Sequence, residues 1–123
     1  MHISFTPDAP PMPEISFDDF LGVDIRVGTI VDAAPLEGAR KPSIRMLIDF
    51  GQAIGQKRSA AQITEHYASE QLVGRQVMGV VNFAPRQIGK FISEVLTLGF
   101  ADQDGAIRLA GPDAAITNGT RMS

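Results

Sequence analysis

Residues 43–50, SIRMLIDF, alternate apolar and polar side chains with a period of two. Ile44, Met46, Ile48 and Phe50 fall on one side, and Ser43, Arg45, Leu47 and Asp49 on the other. Successive side chains of a strand point to opposite faces, so this stretch reads as a half-buried strand and not as an amphipathic helix. The same signal recurs along the chain. DIRVGTIVDA (24–33) and RQVMGVVNF (75–83) are rich in β-branched residues and read as strands, with Gly28 and Gly79 expected at bulges or bends. GQKRSAAQI (55–63) is a further strand, and SEVLTLGF (93–100) another, with Leu96, Leu98 and Phe100 sharing a face. ADQDG followed by AIRLA predicts a hairpin through Asp104-Gly105.

Helical signals are short. In SFDDFLG, Ser16 is placed to cap, Asp18 and Asp19 suit the positive end of a helix dipole, and Gly22 ends the turn. TEHYASEQLVG offers Thr64 as a cap, a brief helix and Gly74 as terminator. Five principal strands with one short helix between the third and fourth match the order of an oligonucleotide/oligosaccharide-binding (OB) barrel. Periodicity alone also admits a small sandwich, an SH3-like barrel or another β-barrel; glycines inside strands favour a strongly coiled barrel. The expected fold class is therefore all-β, a five-stranded OB-fold barrel with flanking N- and C-terminal segments. Residues 1–15 carry four prolines and read as a flexible arm, leaving 16–123 as a single domain.

The chain has no cysteine, which excludes disulfides and thiolate metal sites. Its two histidines, His2 and His66, have no second ligand at metal spacing. Ser59, Ser93 and His66 lie in no nucleophile-elbow motif, and the glycines of GVDIRVGTI lack phosphate-loop spacing. The expectation is a protein that is not an enzyme and takes no cofactor. No apolar run approaches the ~20 residues of a membrane helix, and the N-terminus lacks the basic-then-apolar order of a signal peptide, so no membrane insertion and a cytoplasmic location are expected.

Net charge is −3, but its distribution is uneven. Residues 1–39 carry seven acids and one base; residues 40–94 carry eight bases and four acids. ARKPSIR (39–45) supplies Arg40, Lys41 and Arg45, QKR (56–58) supplies Lys57 and Arg58, and the turn after the fourth strand supplies Arg86 and Lys90. A solvated surface of scattered cations is the bland reading. On an OB barrel, however, the second and third strands and the first and fourth loops form the usual ligand face, which would gather all three groups. With no tryptophan and one tyrosine, extensive stacking on single strands is disfavoured; a folded RNA read by shape and phosphate suits these residues better.

VVNFAPRQIGKF followed by SEVLTLGF resembles the tRNA-binding domain family, the module also appended to some methionyl- and phenylalanyl-tRNA synthetases. FDDFLGVDIRVGTIVDA, ARKPSIRMLIDFG, KRSAAQIT and PDAAITNGTRM extend the resemblance over residues 17–122, towards the family's stand-alone branch of export-related chaperones. The resemblance implies an OB barrel, a homodimer formed through segments outside the five-strand core, and two kinds of partner. These are tRNA and unfolded or export-precursor polypeptides, the latter held without ATP. The family's asparagine–x–x–proline–basic turn falls on Asn82, Pro85 and Arg86, its strand-five serine on Ser93, and its basic third-strand positions on Lys57 and Arg58. The general family pattern has methionine three residues after that serine, where this chain has Leu96; here Gly89 precedes Lys90 rather than following a basic or small residue. The expected RNA-binding set is thus Arg40, Lys41, Arg45, Lys57, Arg58, Asn82, Arg86, Lys90 and Ser93. Phe83 and Phe91 are the expected lining of a peptide groove.

Overall fold

The computed structural model describes residues 5–123. His2 and the first four residues of the expected arm lie outside the described residues; residues 5–15 are exposed and carry no helix or strand. A single-turn helix, α1 (Phe17–Leu21), follows. Ser16 caps it as the sequence predicts: its Oγ accepts from the Asp19 N–H at 3.2 Å, and Asp19 Oδ2 accepts from the Ser16 N–H at 3.1 Å.

The barrel is built from β1 (Ile25–Pro35), β2 (Ile44–Asp49), β3 (Gln56–Ala61), β4 (Gln76–Val80) and, further on, β7 (Leu96–Thr97), in the sheet order β3-β2-β1-β4-β7. All neighbours are antiparallel. The inward face of β2 is the one the alternation predicts, with Ile44, Met46, Ile48 and the following Phe50 buried. These side chains meet Ile30, Ile63, Leu72 and Val77 in one core. Each fully buried aliphatic or aromatic side chain contributes roughly 1.5–3 kcal/mol, which makes this cluster the main source of stability.

The expectation for Gly28 and Gly79 is corrected. Pairing of β1 with β4 runs through both without a register shift, and the bulge falls instead between Ile30 and Asp32, opposite β2. The two glycines make room for Phe50. A Cβ on Gly28 would lie 2.6 Å from Ile48 Cγ2 and 2.8 Å from Phe50 Cδ1, and one on Gly79 would lie 3.1 Å from Phe50 Cζ.

The stretch 93–100 is not one strand. It divides into the end of β6 (Phe91–Ser93), β7, and β8 (Gly99–Ala101), which pairs with β9 (Ile107–Leu109) through the predicted Asp104-Gly105 turn. Its inward residues are Ser93, Val95 and Thr97, while Leu96, Leu98 and Phe100 take the other side and Phe100 is 72% exposed. Period two determines which residues share a face, but only the closing partner decides which face is inside.

The second helix, α2 (Ser69–Leu72), starts after Ala68 rather than at Thr64. Residues 64–68 are held open by tertiary contacts: His66 Nε2 lies 2.7 Å from Asp102 Oδ2, and the Leu109 N–H donates to Tyr67 Oη at 2.9 Å. Both tie the segment to the β8–β9 hairpin. Gly74 ends α2 at φ 92°.

The C-terminal segment pairs with the first residues of β1, on the side that β2 leaves uncovered before Thr29. The Val27 N–H donates to the Thr120 carbonyl, and the Gly119 and Met122 N–H groups donate to the Val27 and Ile25 carbonyls. Asp24 fastens it: Arg26 bonds both carboxylate oxygens, at 2.6 and 3.2 Å, and Arg121 approaches at 3.5 Å. The Arg26 hydrogen bond, reinforced by the charges of Arg26 and Arg121, holds the Asp24 carboxyl below the ordinary carboxylate range. Among the described residues no helix is long and apolar enough to cross a membrane.

Candidate nucleic-acid interface

The charged turn after β4 is a β-hairpin. Arg86–Ile88 forms β5, and it pairs with β6 in the register Arg86↔Ser93, Gln87↔Ile92 and Ile88↔Phe91, leaving Gly89-Lys90 as the two-residue turn. Gly89 has φ 61°, the left-handed conformation that such turns demand and that glycine adopts without steric cost. A glycine-first pair between Ile88 and Phe91 was the sequence signal for this hairpin.

The tip of the hairpin rests on the β1–β2 loop. A Cβ on Gly89 would lie 3.5 Å from the Gly38 carbonyl oxygen. This contact brings Lys90 to the loop that carries Arg40 and Lys41. Among the described residues, none of these three cations takes part in an ion pair. Arg45, one strand further in, lies 3.9 Å from Asp32 and is half-exposed.

Lys57 and Arg58 are adjacent on β3 and point to opposite sides of it, opposite Ile48 and Leu47. One carboxylate nevertheless reaches both. Glu94 Oε1 accepts from the Arg58 backbone N–H at 3.0 Å and from Arg58 Nε at 3.2 Å, while Oε2 lies 4.0 Å from Lys57 Nζ. The Glu94 N–H in turn donates to the Arg58 carbonyl at 2.7 Å, stitching β3 to the end of β6. The Arg58 backbone N–H, followed by the Arg58 guanidinium and the Lys57 charge, holds the Glu94 carboxyl below its ordinary range against the opposing effect of burial. Nothing in the residue pattern singled out Glu94, because its nearer partner in the chain, Arg58, lies 36 positions away.

Ser93 and Asn82 are committed to the fold. Ser93 is buried; its Oγ accepts from the Ala60 N–H at 3.2 Å and donates to the Val95 carbonyl at 3.3 Å. Asn82 accepts from the Asp24 N–H at 3.0 Å and donates to the Gly22 carbonyl at 2.9 Å, joining the end of β4 to the exit of α1. Ser59 also donates to the Val95 carbonyl, at 3.1 Å, and sits 2.8 Å from Thr97 Oγ1. Its hydroxyl and that of Ser93 therefore share one acceptor, while His66 faces Asp102.

Between β3 and the β5–β6 hairpin lies a groove of about 290 Å³ lined by Phe83, Ile88, Val95 and Leu96, with Arg86 and Glu94 among its polar residues. Phe83 is 54% exposed and forms part of its wall. Phe91 is half-buried and lies outside this lining. A more open hollow of about 450 Å³ is lined by Gln76, Leu109 and the Gly111–Ala115 stretch; its one cation, Arg75, stacks 5.1 Å from the centre of the Tyr67 ring.

A five-strand antiparallel barrel, with a cationic first loop and a charged hairpin meeting at one end, defines an OB-fold binding module. Comparison with known proteins makes the assignment particular: a family model described as "Putative tRNA binding domain" matches residues 25–121, and the chain belongs to that family. The crystal structure of the chaperone CsaA from Bacillus anthracis is similar at 44% identity with a TM-score of 0.84, covering 90% of this chain and 100% of that one. CsaA from Picrophilus torridus is similar at 42% identity and a TM-score of 0.83, covering 89% and 100%. The methionine–tRNA ligase of Porphyromonas gingivalis is 38% identical over 114 residues, which are 93% of this chain. The chain spans only 16% of the length of that enzyme.

Proposed function

We propose that the protein binds folded RNA of the tRNA class at the end of the barrel where Arg40, Lys41 and Lys90 meet, acting by binding rather than by catalysis. The observation that carries this reading is the seating of the hairpin tip, with Lys90, on the β1–β2 loop that carries Arg40 and Lys41, three cations that enter no ion pair among the described residues although Glu37 shares the loop. Membership of the tRNA-binding domain family supports it. Neutralising three phosphates gives a log–log salt slope near −2 with the coefficient for single strands, or about twentyfold weaker binding between 50 and 200 mM salt. Engagement of Lys57 and Arg58 as well would bring the slope near −3.5. The test is titration of a folded tRNA with wild type and an Arg40→Ala/Lys41→Ala/Lys90→Ala variant across that range. Weaker binding with a slope shallower by about 2 supports the reading. Unchanged affinity and slope refute it.

The groove beneath Phe83 favours a second activity on the same scaffold: holding unfolded or export-precursor polypeptides in the cytoplasm, without ATP. Full-length similarity to two CsaA chaperones supports it. Phe83→Ser should weaken protection of an aggregating client, with no nucleotide present, while the melting temperature stays nearly constant. A large fall in melting temperature, or undiminished protection, goes against the groove. The exposed apolar residues Ile15, Phe17 and Leu21, with Met122 on the C-terminal segment that Arg121 ties to the Leu21 carbonyl, offer a surface for a homodimer. Light scattering of a chain lacking residues 1–22 should show a weakened dimer; an unchanged dimer removes α1 from the interface.

A further inference from the structure

Glu94 has no part in the RNA reading above, yet its carboxylate reaches two cations that leave β3 on opposite sides, Lys57 and Arg58. Its side chain is 26% exposed, against 36% for Lys57 and 50% for Arg58, so water and ligands reach the cluster. The two carboxylate oxygens divide their work. Oε1 serves the backbone, accepting from the Arg58 N–H, and also meets Arg58 Nε; Oε2 faces the Lys57 ammonium. A phosphate offers an arginine the same paired-oxygen geometry as a carboxylate, and exposed ion pairs are weak and salt-screened.

We propose that Glu94 is a built-in stand-in for phosphate that occupies Lys57 and Arg58 in the free protein and sets how strongly this part of the interface grips RNA. When RNA docks, the guanidinium and ammonium groups swing from the carboxylate to a phosphate. Glu94 itself stays, because Oε1 still accepts from the Arg58 backbone N–H and its own N–H still donates to the Arg58 carbonyl. The barrel therefore remains closed while the charge pairing changes. Glu94 also lines the apolar groove, so the same carboxylate borders both candidate ligand sites. The consequence is specificity: Lys57 and Arg58 contribute little to an isolated anion and more to a polyanion already anchored by Arg40, Lys41 and Lys90. This inference rests on the RNA reading proposed above.

Glu94→Gln keeps an oxygen for the Arg58 N–H and removes the charge. In titrations of a folded tRNA at 50–200 mM salt, this variant should bind about three- to tenfold tighter at the low-salt end. Its log–log slope should be steeper by about 0.7, the contribution of one more phosphate. The gain should vanish when Lys57→Ala/Arg58→Ala is added. Unchanged affinity and slope for Glu94→Gln, with binding still lost in the Arg40→Ala/Lys41→Ala/Lys90→Ala variant, overturn the masking role and leave the RNA reading intact. No tRNA binding by wild type overturns both. Should Glu94→Gln fail to fold, the wild-type protein decides: the nitrogen-15 resonance of Arg58 Nε should shift on adding tRNA, and a resonance that does not move overturns the exchange.

Discussion

Replacing Gly28 by alanine adds one methyl group where Phe50 and Ile48 leave no space. The added Cβ would lie 2.6 Å from Ile48 Cγ2 and 2.8 Å from the Phe50 ring, about 1 Å short of the ~3.5–4.0 Å at which carbon atoms pack. Both neighbours are fully buried, so neither can swing into solvent. Overpacking of this kind costs about 1–3 kcal/mol. Contacts below 3 Å with two buried side chains place Gly28 in the upper part of that range, about 2–3 kcal/mol, and alanine returns roughly 0.5–1 kcal/mol by restricting the unfolded chain, so the net loss should be about 1–2.5 kcal/mol. For a chain of this size that lowers the melting temperature by about 3–8 °C. The cause is separable by a double-mutant cycle in urea. Phe50→Leu trims the ring, so Gly28→Ala/Phe50→Leu should be less destabilised than the two single variants added together, with a coupling of about 0.5–1 kcal/mol. A melting temperature that stays level or rises in Gly28→Ala, or strict additivity in the cycle, would refute the packing argument.

Ser59→Ala should be more harmful than Thr97→Val, although the two hydroxyls face each other at 2.8 Å. Ser59 donates to the Val95 carbonyl, so Thr97 must donate to Ser59; removing Ser59 strands a buried donor and costs about 2 kcal/mol, while Thr97→Val costs about 1 kcal/mol. Equal urea midpoints for the two variants would contradict this assignment of donors. Acid should destabilise the protein through Asp24, Glu94 and Asp102, all held below their ordinary values of 3.8, 4.5 and 3.8; for Asp102 the first cause is its hydrogen bond with His66. A depressed carboxyl pKa contributes stability that is present above the unfolded value and lost as pH falls through the folded one. Stability should therefore be level with respect to these groups above about pH 5 and decline below about pH 4, less steeply in Asp102→Asn. Identical acid limbs for that variant and wild type, followed by circular dichroism, would remove Asp102 from the account.

Local chemistry made part of the fold legible. The inward face of β2, the Ser16–Asp19 capping box and the Asp104-Gly105 turn each depend on residues within a few positions of one another. The family resemblance drawn from six separated stretches agrees with the matched residues 25–121. The unbroken periodicity of residues 93–100 predicts one strand. In the structure its division follows from the partners it must serve in turn: β3 at Ser93 and Glu94, β4 at Leu96 and Thr97, and β9 from Gly99 onward. The helix start predicted at Thr64 was displaced to Ser69 for a similar reason, since His66 and Tyr67 are claimed by the β8–β9 hairpin.

The candidate interface shows the same division. The sequence by itself determined that cations concentrate between residues 40 and 94, and that a proline, a glycine and two of those cations share one turn. Tertiary structure decided which charges are paired. Glu94 meets Lys57 and Arg58 because β3 closes against β6, and the hairpin tip that carries Lys90 reaches the β1–β2 loop because Gly89 approaches the Gly38 carbonyl. It also determined that Asn82 and Ser93, polar residues in a charged neighbourhood, bond the chain to itself. Charge is a property of each residue, whereas the partner of a charge depends on distances across the barrel, and those exist only once the sheet has coiled and closed.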